Sequence, residues 1–206
     1  MIMSKVGQIN RGSNLGEKIF RMSTQDNVKT IVEIGTWNGM GSTKCIYDAV
    51  LGTRKNVFSL ECNKTRHEEA KINLGIIPLD FHLIHGTIVS TDELEPLMEG
   101  LTEGLKVWLR EDLMWLKQTP NVFNQLPEKI DLCIIDGGEF SGDIEFFKLW
   151  ERCRYIILDD TNAMKHTKTK EFILSKPETF KILDDNTVER NGFLICEVLW
   201  TPTPTK

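Results

Sequence analysis

Seven short β-rich runs, most of them separated by helical patterns, constrain this chain more than any other feature. The runs cover residues 30–34, 56–61, 80–85, 129–136, 154–160, 179–184 and 192–200. Residues 42–52, 64–74, 142–153 and 168–175 carry helical spacing between them, with Gly52 and Gly75 placed as C-terminal stops. Runs 129–136 and 154–160 are strongly apolar, as strands buried on both faces should be. Strands alternating with helices predict an α/β, doubly wound, Rossmann-like sheet, mostly parallel and covered on both faces. The last two runs meet across the turn-rich residues 185–191 and predict a C-terminal hairpin that adds an antiparallel strand at one edge. Neither a repeat nor a linker divides the sequence, so residues 1–206 read as a single domain, with a frayed tail at 201–206.

Composition narrows the function classes. With 25 basic against 30 acidic residues the formal charge is −5, and no Lys/Arg-dense run appears, which speaks against a nucleic-acid partner. No stretch approaches the ~18 consecutive apolar residues of a membrane span, and residues 1–5 offer no signal-peptide core. Cysteines 45, 62, 133, 153 and 196 form no Cys-x-x-Cys pair. They read as reduced small hydrophobes of a cytoplasmic protein rather than zinc ligands.

In an open parallel sheet, ligands bind beyond the C-terminal ends of the strands. There the chain reads Val32-Glu33-Ile34-Gly35-Thr36-Trp37-Asn38-Gly39-Met40-Gly41-Ser42. The glycines let the backbone turn sharply and let a bulky ligand lie against it. Their spacing, G-x-x-x-G-x-G, departs from the G-x-G-x-x-G of dinucleotide binders and disfavours a nicotinamide oxidoreductase. The segment resembles the first motif of class I S-adenosylmethionine-dependent methyltransferases, especially the small-molecule O-methyltransferases that carry E-I-G-T-x-x-G here. The order of elements extends this resemblance over most of the chain.

The resemblance implies a seven-stranded methyltransferase sheet and S-adenosylmethionine as cofactor. Glu33 would sit near the methionine amino group, and Gly35, Thr36, Asn38, Gly39 and Ser42 would line the cofactor. Trp37 belongs to the same loop and reads either as a cofactor contact or as packing. Glu61, closing the second run, would hold both ribose hydroxyls through charge-assisted hydrogen bonds. Gly86 and Thr87, after His85, fall where the family places residues near the adenine.

Asp136 closes the fourth run, and Asp159 and Asp160 close the fifth. Neighbouring strands would bring these carboxylates together, and such a cluster needs a cation or raised pKa values. Oxygen-only ligands suit Mg²⁺ or another divalent cation. The arrangement resembles metal-dependent O-methyltransferases acting on catechols and sugars, where the metal holds two substrate oxygens and lowers a hydroxyl's pKa. The plainer alternative has Asp159 or Asp160 capping the next turn and Asp136 beside the cofactor. The general base stays open: Asp136, Glu139 and His166 are the candidates. Relatives with D-G-G here commonly continue with His, or carry Lys three residues after the Asp, where this chain has Glu139.

Residues 88–128 interrupt the alternation. Leu101, Leu105, Trp108/Leu109 and Leu116 predict one amphipathic helix. With residues 12–26 it would wall a substrate pocket, or its apolar face would make a homo-oligomer. The expected function is divalent-metal-assisted O-methylation of a small hydroxylated or sugar substrate. The alternatives are a non-catalytic binding protein of methyltransferase fold, suggested by Glu139, and a metal-independent N-methyltransferase.

Overall fold

The computed structural model describes residues 6–199. Its strands are β1 (Thr30–Ile34), β2 (Asn56–Glu61), β3 (Phe81–His85), β4 (Ile130–Ile135), β5 (Cys153–Asp159), β6 (Phe180–Asn186) and β7 (Phe193–Val198). They form one sheet in the order β3-β2-β1-β4-β5-β7-β6. The pairs from β3 through β5 are parallel, and β7 runs antiparallel to both β5 and β6. The sheet therefore has the α/β, mostly parallel form predicted, with its order reversing at β1, the switch point where ligands bind.

The C-terminal hairpin stands at one edge of the sheet, as expected. The antiparallel strand β7 lies inside the sheet and β6 forms the edge. Burial accounts for this: Phe193, Leu194, Ile195 and Cys196 are buried, whereas Lys181 and Asp185 of β6 are exposed. Charged side chains on an outer strand also discourage pairing with another chain. The expected run to Trp200 and the tail 201–206 extend beyond the described residues.

Alternation along the strands divides the core between two faces. Ile31, Val57, Leu132, Ile134 and Ile157 pack with α1 (Asn14–Thr24) and α2 (Ser42–Val50). Val32, Cys133, Ile135, Ile156 and Leu158 face the other way. That second layer is completed by α5 (Glu103–Leu116), α6 (Gly142–Leu149) and α7 (Thr167–Leu174). A further helix, α3 (Lys64–Leu74), starts at Asn63, whose side chain caps the Arg66 amide.

The inserted segment holds more than the single helix expected. A short α4 (Thr91–Leu94) precedes a 3₁₀ stretch over Glu95–Gly100, and only then comes α5. Ser90 and Glu93 form a reciprocal capping box that starts the extra turn, and Pro96 stands at the head of the 3₁₀ stretch. Likewise α6 stops at Leu149, and residues expected to continue it form a 3₁₀ turn, Trp150–Arg152, that leads into β5.

Below the β6 edge, Phe146 of α6 is fully buried among the rings of Trp150, Phe172 and Phe180. Phe146→Ala should lower stability by about 3–5 kcal/mol, since it empties a site contacted by three elements. Urea unfolding checks this. A loss below 1 kcal/mol would show that the aromatic cluster does not anchor this edge.

Candidate functional site

The C-terminal ends of β1, β2, β4 and β5 open onto a cavity of about 810 Å³, within the size range of small-molecule sites. Gly35 makes the turn out of β1 possible. Its φ is +100°, and a Cβ there would stand 2.1 Å from the Asp136 carbonyl oxygen. Only glycine allows the two strand ends to approach this closely. Trp37, two residues later, also holds a positive φ of 51°. Its amide donates to Glu61 Oε2 at 2.6 Å, and the Asn63 amide donates to Oε1 at 2.8 Å. Both oxygens of Glu61 are thus oriented by backbone, and each keeps a lone pair for a ligand. Burial pushes Glu61 up to about 7, against the pull of those amides and of Arg66.

Of the residues expected to meet a cofactor, Gly35, Thr36, Trp37, Ser42, Glu61, Gly86, Thr87 and Asp136 lie on the cavity wall. Glu33, Asn38 and Gly39 stand behind that wall. Glu33 is fully buried behind the loop, where it accepts from Ser42 Oγ (2.6 Å), Thr43 Oγ1 (2.8 Å) and Ser59 Oγ (2.6 Å). Asn38 shapes the turn, its side-chain oxygen accepting the Met40 amide at 3.0 Å. Gly39, at φ +78°, leaves room for α3, since a Cβ would lie 3.1 Å from that of Ala70.

The three aspartates converge as expected: Asp136, Asp159 and Asp160 offer oxygens within 4.8 Å of one another. The cations beside them were not foreseen. Lys165 Nζ lies 2.9 Å from Asp136 Oδ1 and 3.7 Å from Asp160 Oδ2, with its side chain only 3% exposed. Arg190, from the β6–β7 turn, donates to both oxygens of Asp159 at 3.4 and 3.0 Å and lies 3.6 Å from Asp160. Burial alone would lower the Lys165 amine, but Asp136, Asp160 and Asp159 outweigh it and hold the pKa above its ordinary value. Burial, with Asp136 and Asp160 alongside, pushes Asp159 up despite Arg190. Asp160 reaches the cavity wall while Asp159 stays behind it. The donor set suits a divalent ion by element, but not by arrangement, because the ion would have to evict Lys165 from Asp136.

Two of the candidate bases lie off the cavity wall. His166 is fully buried and off the cavity wall, and burial with the neighbouring Lys165 charge pushes its pKa down to about 3. Glu139 is half-buried and also off the wall; burial raises its pKa, against the pull of Lys165. Asp136 remains.

Glu145 of α6 and Asp112 of α5 were missed, and both line the cavity. Glu145 is buried, its Oε2 has no hydrogen-bond partner among the described residues, and burial pushes its pKa up to about 7. Asp112 is pushed up to about 6 by burial and by Glu111 and Glu139. A lone acid in the apolar stretch Ile144–Leu149 was the readable signal for Glu145. The inserted helix walls the cavity through Glu111, Asp112, Trp115 and Leu116, whereas residues 12–26, expected beside it, are off the wall and residues 6–9 stand there instead.

No family model matches the sequence. The fold is similar to an O-methyltransferase from Bacillus cereus in complex with S-adenosylhomocysteine, at 16% identity and a TM-score of 0.58, over 94% of this chain and 84% of that one. It is similar to an S-adenosylhomocysteine-bound methyltransferase from Podospora anserina, at 15% identity and 0.59, over 91% and 79%. A precorrin-6y C5,15-methyltransferase from Geobacter metallireducens matches at 16% identity and 0.54, over 96% and 94%. The chain has the class I S-adenosylmethionine-dependent methyltransferase fold.

Glu33 gives a test of the loop. Its pKa of about 7 in the fold compares with an ordinary 4.5. Between those values the folded state holds a proton that the unfolded chain has lost, so this contribution is full below 4.5 and lost as pH rises through 7. Wild type should lose ground to Glu33→Gln by up to ~1.4 kcal/mol per pH unit across that window. Parallel stability curves for the two proteins, from urea unfolding at pH 4.5 to 7.5, would refute the buried titration.

Proposed function

We propose that this protein transfers a methyl group from S-adenosylmethionine to a hydroxyl of a small, polar or sugar-like acceptor. One observation carries the reading: a single cavity runs from the amide-held carboxylate of Glu61, past the Gly35 turn, to Asp136 and Asp160. Glu61 would hold the ribose hydroxyls, and Gly35 and Thr36 would bring backbone against the methionine end. When bound, the cofactor supplies an electrophilic methyl on a sulfonium. Asp136 accepts the acceptor's proton as the acceptor oxygen bonds to the methyl carbon and the carbon–sulfur bond breaks. The products are the methyl ether, S-adenosylhomocysteine and a protonated carboxyl. Holding the two reactants in line accounts for much of the acceleration such a site needs.

A second reading, N-methylation, draws support from the wall itself. Glu61, Glu111, Asp112, Asp136, Glu145 and Asp160 face the cavity against Arg66 and Arg190, an excess of negative charge that favours a protonated amine. A matched panel of hydroxyl and amine acceptors separates the two readings. Cofactor binding with no turnover on either would favour a non-catalytic binding protein.

Titration calorimetry with S-adenosylhomocysteine tests the shared premise. Wild type should bind at micromolar concentration. Glu61→Ala should weaken binding at least ~10-fold, since each charge-assisted bond is worth roughly 1.5–3 kcal/mol. No binding by wild type would overturn the proposal, and an unchanged Glu61→Ala would remove that residue from the site.

A further inference from the structure

We propose that Lys165 and Arg190 are the resident cations of the strand-end carboxylates, so that chemistry at Asp136 proceeds without a divalent metal. The chemistry rests on the methyltransferase reading above; the arrangement of charges does not. A divalent ion of Mg²⁺ type demands carboxylate oxygens at about 2.0–2.1 Å. Lys165 Nζ already stands between two of the oxygens such an ion would need, 2.9 Å from Asp136 and 3.7 Å from Asp160. An ion and the ammonium cannot both contact them.

Lys165 packs against the head of α6. Its Cγ lies 2.8 Å from where a Cβ on Gly142 would stand, and its carbonyl oxygen lies 2.7 Å from the same point. The absence of a side chain at the head of α6 is what lets this loop press in. Asn162 ties the loop to the β6–β7 turn, its amide donating to the Asn191 carbonyl at 2.7 Å and its side chain to the Thr187 carbonyl at 2.9 Å. That turn carries Arg190, whose guanidinium also donates to Gln8 at 3.0 Å. Both cations are thus seated by several contacts each.

The net charge agrees. Three carboxylates against Lys165 and Arg190 leave one negative charge, which attracts the sulfonium of the proposed cofactor. A dication that displaced Lys165 would leave the cluster neutral and remove that attraction. Lys165 bonds Oδ1 of Asp136 and leaves Oδ2 without a hydrogen-bond partner among the described residues, available to take a proton. Lys165 is therefore a positioning residue acting through Asp136. A site organised in this way needs no chelating pair of acceptor oxygens.

The test is titration of the full chain with Mn²⁺, free and loaded with S-adenosylhomocysteine, read by electron paramagnetic resonance. Wild type should show no saturable site below millimolar Mn²⁺. Lys165→Met should create one at least tenfold tighter, and adding Asp160→Asn should remove it. A single micromolar site in wild type, lost in Asp160→Asn, would overturn the proposal. So would a folded Lys165→Met that gains no Mn²⁺ binding. If Lys165→Met does not fold, Lys165→Gln takes its place, and the wild-type titration remains decisive against a resident metal. Failure to bind S-adenosylhomocysteine would remove the methyltransferase reading alone, because the Mn²⁺ result reports on Lys165 either way.

Discussion

The cavity depends first on a carboxyl that never touches it. Glu33 sits in β1 among hydroxyls from β2 and from the first turn of α2, and it binds all three elements at one point. A buried acid without partners would cost several kcal/mol, and three hydroxyl donors offset much of that. The same hydroxyls continue the network outward. Thr36 shares a 2.6 Å hydrogen bond with Ser59, and Thr43 reaches the Thr36 carbonyl. The loop between β1 and α2 is therefore held from behind, which leaves its front free for a ligand.

At the other end of the cavity, order comes from opposed charges rather than hydroxyls. Asp136, Asp159 and Asp160 arrive on two neighbouring strands, and their repulsion is relieved by a lysine from the next loop and an arginine from the hairpin. Placing β7 inside the sheet is what carries the hairpin turn back over β5, within reach of these carboxylates. Residues 6–9 complete that wall, with the Gly7 amide on the Met40 carbonyl at 2.8 Å and Gln8 on Arg190.

Much of this was legible before any coordinates. The strand runs, the helices between them and the Gly35 turn follow from periodicity and from glycine's conformational freedom, which are local properties. The convergence of Asp136 with Asp159 and Asp160 followed from the parallel order of strands. What escaped was side-chain direction and long-range delivery. Glu33 alternates away from the ligand side along its strand, and only the identities of Ser42, Thr43 and Ser59 in space reveal the cage. Lys165 and His166 are adjacent in sequence, yet one meets the aspartates and the other is sealed in the core. Arg190 lies thirty residues beyond Asp160 and approaches it only because the sheet order crosses over.

Trp37, Asp160 and Arg190 are the non-glycine residues with positive φ among those described, and all of them border the cavity. Each such conformation costs on the order of 1–3 kcal/mol for a side chain that could be relieved by glycine. Exchanging them for glycine would release that strain while deleting an aromatic face, a carboxylate and a guanidinium from the wall. At Asp160 and Arg190 the exchange would also strip Lys165 and Asp159 of ion-pair partners, so the contacts that charge the wall are the ones that hold its backbone in these conformations.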